Sequence, residues 1–198
     1  MSIFLNLYRG LKRVRDKACS LLFARAFHRF GSGSVICLPV RLGGESAVEI
    51  GSRVYLGSNC WIEVIDLDPE FPRPIISIGD HSSFSGFCTI TAVSRVTIGS
   101  GVLIARFVHI SDHSHSHASA ELPIKDQGVT KIAPVTIGDG AWIGHGAVIC
   151  PGVTIGRNAV IGANSVVRDD VPDHCVAAGV PARIIRRQET YSNTTLSR

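Results

Sequence analysis

The chain of 198 residues is short of several things. Only 18% of its residues are charged, 7% are aromatic and one is methionine. Sparse charge alongside 45% hydrophobic residues excludes a disordered chain, and the length suits one compact domain with or without an appendage. The formal net charge of +4 is mild and gathers at two ends, around Arg9–Lys17 and Arg183–Arg187. With no broad basic face and no interleaved aromatics, no nucleic-acid partner is expected. None of the six cysteines, at 19, 37, 60, 88, 150 and 175, stands in CxxC spacing, and no cleavable signal peptide is visible. That predicts reduced thiols in a cytoplasmic protein and no disulfide framework. Apolar runs are too short to span a bilayer.

What is plentiful is glycine, 20 residues, set among valine and isoleucine at a fixed interval. Stepping by six from Ile137 meets Ile143, Ile149, Ile155, Ile161 and Val167. Glycine follows four of these, as Gly138, Gly144, Gly156 and Gly162. Shorter series run Ile98–Ile104–Ile110, Ile78–Phe84–Ile90 and Ile50–Leu56–Ile62. A period of six is neither helical nor a simple alternation. It suits a chain that makes a short strand, turns and repeats, three times per coil of a triangular prism. One coil cannot bury its own apolar side, so several must stack. Five coils are expected, over 50–62, 78–90, 98–110, 137–149 and 155–167.

The stretches VTIGDGAWIGHGAVICPGVTIGRNAVIGANSVV and VPDHCVAAGVPARIIRR carry a resemblance. Across about residues 42–187 the chain resembles the hexapeptide-repeat O-acetyltransferases that act on galactosides, maltose and bacterial surface polysaccharides. The resemblance implies an all-β solenoid, a left-handed parallel β-helix, assembled as a homotrimer with acetyl-CoA as donor. It divides the chain into an N-terminal helical segment (1–40), the β-helix (41–173) and a C-terminal CoA-site segment with a tail (174–198).

Two stretches break the period. Residues 63–77, EVIDLDPEFPRPIIS, hold three prolines and four acids and are expected to protrude. Residues 111–133 leave the prism after Ile110 and return before Ile137, and long excursions from a rigid repeat are often functional. The second opens with His113, His115 and His117 in alternation. In extended chain these share one side. Imidazole suits general-base work at neutral pH, as acetyl transfer to a hydroxyl requires. The resembled enzymes carry one essential histidine just after a repeat coil, which implies His113, with His115 as the alternative. A gamma-class carbonic-anhydrase-like zinc site from His81, His113 and His145 is a rival. A solvated Ser/His-rich loop tip is the plain alternative. Asp112 either orients an imidazole or binds a sugar hydroxyl.

For the donor, the resemblance implies Trp142 near the reacting thiol end, with Gly144, His145 and Ala163 beside the cofactor. Arg168 and Asp169 fall at the next turn. Relatives often have Ser at the position of His145 and Thr-Lys at 168–169. Arg183 and Arg186 match family positions for the CoA phosphates, where guanidinium makes paired hydrogen bonds. Val180, Ile184 and Ile185 are expected to cap the open edge of the prism.

Residues 1–30 differ. Leu7, Leu11, Val14, Ala18, Leu21 and Leu22 recur at helical spacing with Arg9, Lys12, Arg13, Arg15 and Lys17 among them. This amphipathic basic helix is expected to pack on the first coil, with peripheral membrane contact as the alternative. The tail from Gln188 is polar. Taken together, the sequence predicts an acetyl-CoA-dependent O-acetyltransferase using a saccharide acceptor in surface-polysaccharide biosynthesis. A sugar-amine N-acetyltransferase, a zinc lyase and a noncatalytic trimeric scaffold are the alternatives.

Overall fold

The computed structural model describes residues 2–65 and 73–187. Helix α1 (Ser2–Phe23) leads into a left-handed β-helix whose three faces are sheets of six, eight and six strands, parallel but for the last strand of the second. The first face stacks Arg29–Phe30, Val48–Ile50, Ile76–Ile78, Val96–Ile98, Val135–Ile137 and Thr154–Ile155. The second and third faces follow in the same order, so each coil visits all three.

The six-residue step is seen directly as register. On the second face Ile36, Leu56, Phe84, Ile104, Ile143 and Ile161 lie opposite one another in turn. On the third face the column is Leu42, Ile62, Ile90, Ile110, Ile149 and Val167. From Ile50 onward the members of all three columns are essentially without solvent exposure. Each such side chain contributes about 1.5–3 kcal/mol by leaving water, and a strand of two or three residues cannot hold together without that column.

A sixth coil precedes the five expected. Its strands, Arg29–Phe30, Val35–Ile36 and Arg41–Gly43, put Phe30, Ile36 and Leu42 at the same spacing. Buried hydroxyls finish the turns: Ser82 donates to the Gly99 carbonyl (2.8 Å) and accepts from the Val102 amide (3.1 Å). Of the excursion expected at 63–77, residues 66–72 lie outside the described residues, as does the tail from 188.

At the C-terminal end Cys175–Gly179 and Ala182–Arg187 form an antiparallel hairpin that continues the second face. The expected cap of Val180, Ile184 and Ile185 is not made: they are 71%, 47% and 66% exposed. The end is closed instead by Val171, Cys175, Ala177 and Ala182. The last strand lies at the outer edge of one sheet and is exposed on both its sides after Ala182, while Val180 sits in the turn, so none of the three crosses the mouth of the prism. All six cysteines are free thiols.

Helix α1 packs on the first coil, as expected, but not by its apolar stripe: it docks through Asp16 and Ser20, while Leu7, Leu11, Val14, Leu21 and Leu22 face solvent.

Candidate active site

The third-face strand His109–Ser111 ends where the chain leaves the column. Asp112 follows, with no exposed surface. Its carboxylate accepts the backbone amides of Val93 (2.9 Å), Ser94 (2.7 Å) and Arg95 (2.7 Å), a turn of the coil below. Its carbonyl accepts the amide of Ala133 at 2.8 Å, closing the neck of the excursion. A buried carboxylate so held cannot swing.

His113 is therefore built on a fixed base. Its Nδ1 lies 2.9 Å from Asp112 Oδ1, and the residue is 8% exposed. An ionised carboxylate only accepts hydrogen bonds, so the network assigns the ring proton to Nδ1. That leaves the Nε2 lone pair free to take a proton from something else. Ser111 Oγ supports the turn, donating to the His113 carbonyl at 2.9 Å. Asp112 thus orients an imidazole, one of the two roles open to it from sequence.

The three alternating histidines do not act as one set: His113 and His115 line one cleft, but only His113 is buried, and His117 does not line it. The parallel strand stops at Ser111, and Ser114–His115 instead pairs antiparallel with Val129–Thr130. His113 turns inward to Asp112, while His115 and His117 are exposed. Gln127 clasps the rest of the excursion, taking the Ser119 amide (2.9 Å) and donating to the carbonyls of Ser119 (2.9 Å) and Leu122 (2.8 Å).

Two clefts meet at this point. One, of about 550 Å³, runs down the outer side of the third face past Arg41, Trp61, Glu63, Thr89, Thr91 and His109 to His113 and His115. In it the Trp61 indole donates to Glu63 Oε2 (2.5 Å), and the Arg41 guanidinium lies 4.0 Å over the ring. Burial, and then the nearby His113 imidazole, push the His109 pKa below its usual 6.5. The other cleft, of about 390 Å³, follows the corner between third and first faces along Lys131, Ile132, Cys150, Pro151 and Arg168. Ser114 lines both.

Sequence inspection missed His109, Trp61 and Arg41. The signal was parity: each stands one residue before a core position, Ile110, Ile62 and Leu42, and so falls on the outer side of its third-face strand.

The expected donor residues divide between two corners. Arg168 and Asp169 follow Val166–Val167, on the same corner as His113. Asp169 Oδ2 accepts from Arg183 Nη1 at 2.8 Å, and both side chains are exposed, as is Arg186. Trp142 stands on the second face, half exposed, in register with Leu103 and Val160. Gly144 and His145 lie on the corner between second and third faces, one coil before Ala163. There the His145 ring meets Phe107 edge-on at 5.3 Å, and Phe107 meets Phe87 at 5.0 Å. Gly144 is buried, and a Cβ on it would come 2.6 Å from the Ile161 carbonyl, so close stacking of the next coil requires glycine. His81, His113 and His145 occupy three different corners and do not converge within the chain. Among the described residues no group of three or more His, Cys, Asp or Glu side chains could hold a metal ion.

Residues 134–169 match the family model described as bacterial transferase hexapeptide (six repeats). An Escherichia coli O-acetyl transferase ascribed to lipopolysaccharide biosynthesis, WbbJ, is 31% identical over 183 residues, 89% of this chain and 87% of that one. The galactoside O-acetyltransferase of Escherichia coli is 40% identical over 137 residues, 66% of this chain and 62% of that one. Among solved structures, the hexapeptide-repeat acetyltransferase VCA0836 of Vibrio cholerae, complexed with acetyl coenzyme A, superposes with a TM-score of 0.60 and 27% identity. The match covers 85% of this chain and 75% of that one.

Proposed function

This chain belongs to the hexapeptide-repeat acetyltransferase family, and on that premise we propose that it transfers acetyl from acetyl-CoA to a saccharide hydroxyl, with His113 as general base. The observation that carries the assignment is the Asp112–His113 pair, anchored by three backbone amides at the junction of two clefts. The names of the relatives, for galactoside and lipopolysaccharide O-acetylation, support a sugar of a surface polysaccharide as acceptor.

Acetyl-CoA, when bound, supplies the thioester carbonyl that is attacked. The rest is work for this chain. Asp112 holds the Nδ1 proton and stabilises the imidazolium formed when Nε2 takes the acceptor's hydroxyl proton. The cleft down the third face, with the Trp61 indole, Thr89 and Thr91, is where the acceptor is oriented. Lys131, Arg168, Arg183 and Arg186 supply cations for the donor's phosphates.

Trp142, His145 and Ala163 lie a face away from His113 within one chain. We therefore assign the complete site to a homotrimer, in which one subunit's His113 faces the Trp142 side of a neighbour. Mixing His113→Ala with Trp142→Ala subunits tests it. Restored turnover supports a shared site, and no restoration argues for a site within one chain.

The assay that tests the main proposal measures thiol release from acetyl-CoA with hydroxyl and amine sugars as rival acceptors. Turnover with hydroxyl acceptors that His113→Gln abolishes supports it; amine acetylation alone overturns the O-transfer assignment. A second reading puts the base at His115, because that ring is exposed in the same cleft and reaches solvent-borne acceptors without rearrangement. Full activity in His113→Gln with loss in His115→Gln selects it.

A further inference from the structure

Helix α1 is amphipathic, yet it faces the wrong way for a helix that stabilises its fold by burying an apolar side. Ile3, Phe4, Leu7, Leu11, Val14, Leu21 and Leu22 fall on one stripe at helical spacing. They are between 58% and 78% exposed. The opposite side carries the buried polar residues Asp16, 3% exposed, and Ser20, 1% exposed, with Cys19 and Phe23 half-buried beside them. Ser20 Oγ accepts the Ile36 amide at 2.8 Å and donates to the Asp16 carbonyl at 2.6 Å. The Asp16 carboxylate takes the Arg15 guanidinium (2.6 Å) and the Leu38 amide (3.4 Å). These hydrogen bonds, with Phe23 packed against the core at the helix end, fix the helix on the first coil with its apolar stripe outward. A contiguous stripe of large apolar side chains, rimmed by charge, marks a surface that something else covers.

Charge selects the occupant. Arg9, Lys12, Arg13, Arg15 and Lys17 are the helix's cations, and Asp16 is its one acid, buried and already paired with Arg15. A second copy of the helix would bring like charges together. An anionic lipid surface meets both requirements: it takes the stripe below the headgroups and meets Arg15 and Lys17 at the stripe's two margins, while Arg9, Lys12 and Arg13 lie farther round, along the cleft between helix and first coil. The helix, of 22 residues and about 33 Å, is long enough to lie in that plane. Among the described residues no helix is long and apolar enough to cross a membrane.

We propose that α1 is a peripheral membrane anchor that lays its Leu7–Leu11–Val14 stripe into an anionic bilayer while Asp16 and Ser20 hold the β-helix to it. Docking of this kind requires no part of the transfer chemistry, so it stands or falls separately from the acetyltransferase assignment.

The test is sedimentation of the full chain with vesicles of phosphatidylcholine alone or mixed with phosphatidylglycerol. Binding is expected to the mixed vesicles, much weaker to phosphatidylcholine, and weakened by salt. The combined variant Leu7→Gln, Leu11→Gln, Val14→Gln keeps helix-forming residues and is expected to lose binding at least about tenfold. Lys17→Gln, which leaves the stripe and the docking contacts intact, is expected to weaken binding roughly fivefold. Thiol release with a soluble acceptor should be unchanged in both. Absence of binding to the mixed vesicles, or binding indifferent to the apolar variant, overturns the proposal. A wild-type chain that ignores vesicles, and whose assembly loses mass by light scattering in the apolar variant, assigns the stripe to a second copy instead.

Discussion

The coils and the excursion that leaves them are built on opposite principles. In the coils every third-face strand repeats one pattern, and Ile90, Ile110 and Ile149 are interchangeable members of one column. Between 111 and 134 nothing repeats, and polar groups are buried: Asp112, His113 and Ser111 are all under a tenth exposed. Repetition secures stability through apolar area. The excursion uses that stability to hold a carboxylate and an imidazole in one geometry, which an apolar column has no means to offer. One depends on volume, the other on direction.

Substitutions should separate the two. The largest expected effect is on chemistry: His113→Ala should lower turnover by roughly 10²–10⁴, against a stability loss of about 1–3 kcal/mol from the emptied buried site beside Asp112. Equal losses in both would merge the two regions into one. Asp112→Asn keeps the size but offers Nδ1 a donor or a weaker acceptor. Turnover should fall by about 10² or more, with a stability loss of about 1–3 kcal/mol from the imperfectly satisfied amides of 93–95. Initial rates and urea unfolding of the same preparation measure both.

In the column, Ile143→Ala should do the reverse, costing about 2–5 kcal/mol in urea unfolding while kcat per folded molecule is retained. A smaller effect is expected where the excursion's corner meets the donor cations. Asp169 holds Arg183 in an exposed pair, worth about 0–1 kcal/mol. Asp169→Asn should release Arg183 for phosphate and lower the KM for acetyl-CoA by roughly two- to fivefold, leaving kcat alone. A raised KM would mean that Asp169 positions the arginine.

The smallest effect concerns pH. Burial and the His113 imidazole hold His109 below its usual 6.5. The unfolded chain then takes up this proton more readily than the folded one. The corresponding stability is complete above about 6.5 and declines as pH falls toward the depressed value. Thermal midpoints should drop by about 2–4 °C for each kcal/mol lost. His109→Gln should flatten that slope between neutral pH and the depressed value; an unchanged slope would remove His109 from the account.

Much of this was legible because the six-residue step is a local property. Ile98, Ile104 and Ile110 announce their faces without knowledge of their neighbours, and even the overlooked first coil carries Phe30, Ile36 and Leu42 at the same interval. The excursion was legible as an interruption, and His113 as a candidate within it. The partner of its ring was less so. Asp112 is adjacent in sequence, yet its function depends on amides at 93–95, some twenty residues earlier, brought beneath it by one turn of the coil. The outward residues of the third face, Arg41, Trp61 and His109, come from three different coils and form a cleft only when these stack.

Residue order alone was enough for the column, because an apolar residue every six positions has one economical way to leave water and every coil repeats that solution. Residue order also sufficed to show α1 as a two-sided helix, since 3.6-residue spacing is intrinsic to the chain. It did not say which side would face the protein. That was decided by Ser20 meeting the Ile36 amide and Asp16 meeting the Leu38 amide, contacts between segments about twenty residues apart. Hydrogen bonds of that kind depend on the distance and direction of groups that three-dimensional packing alone brings together.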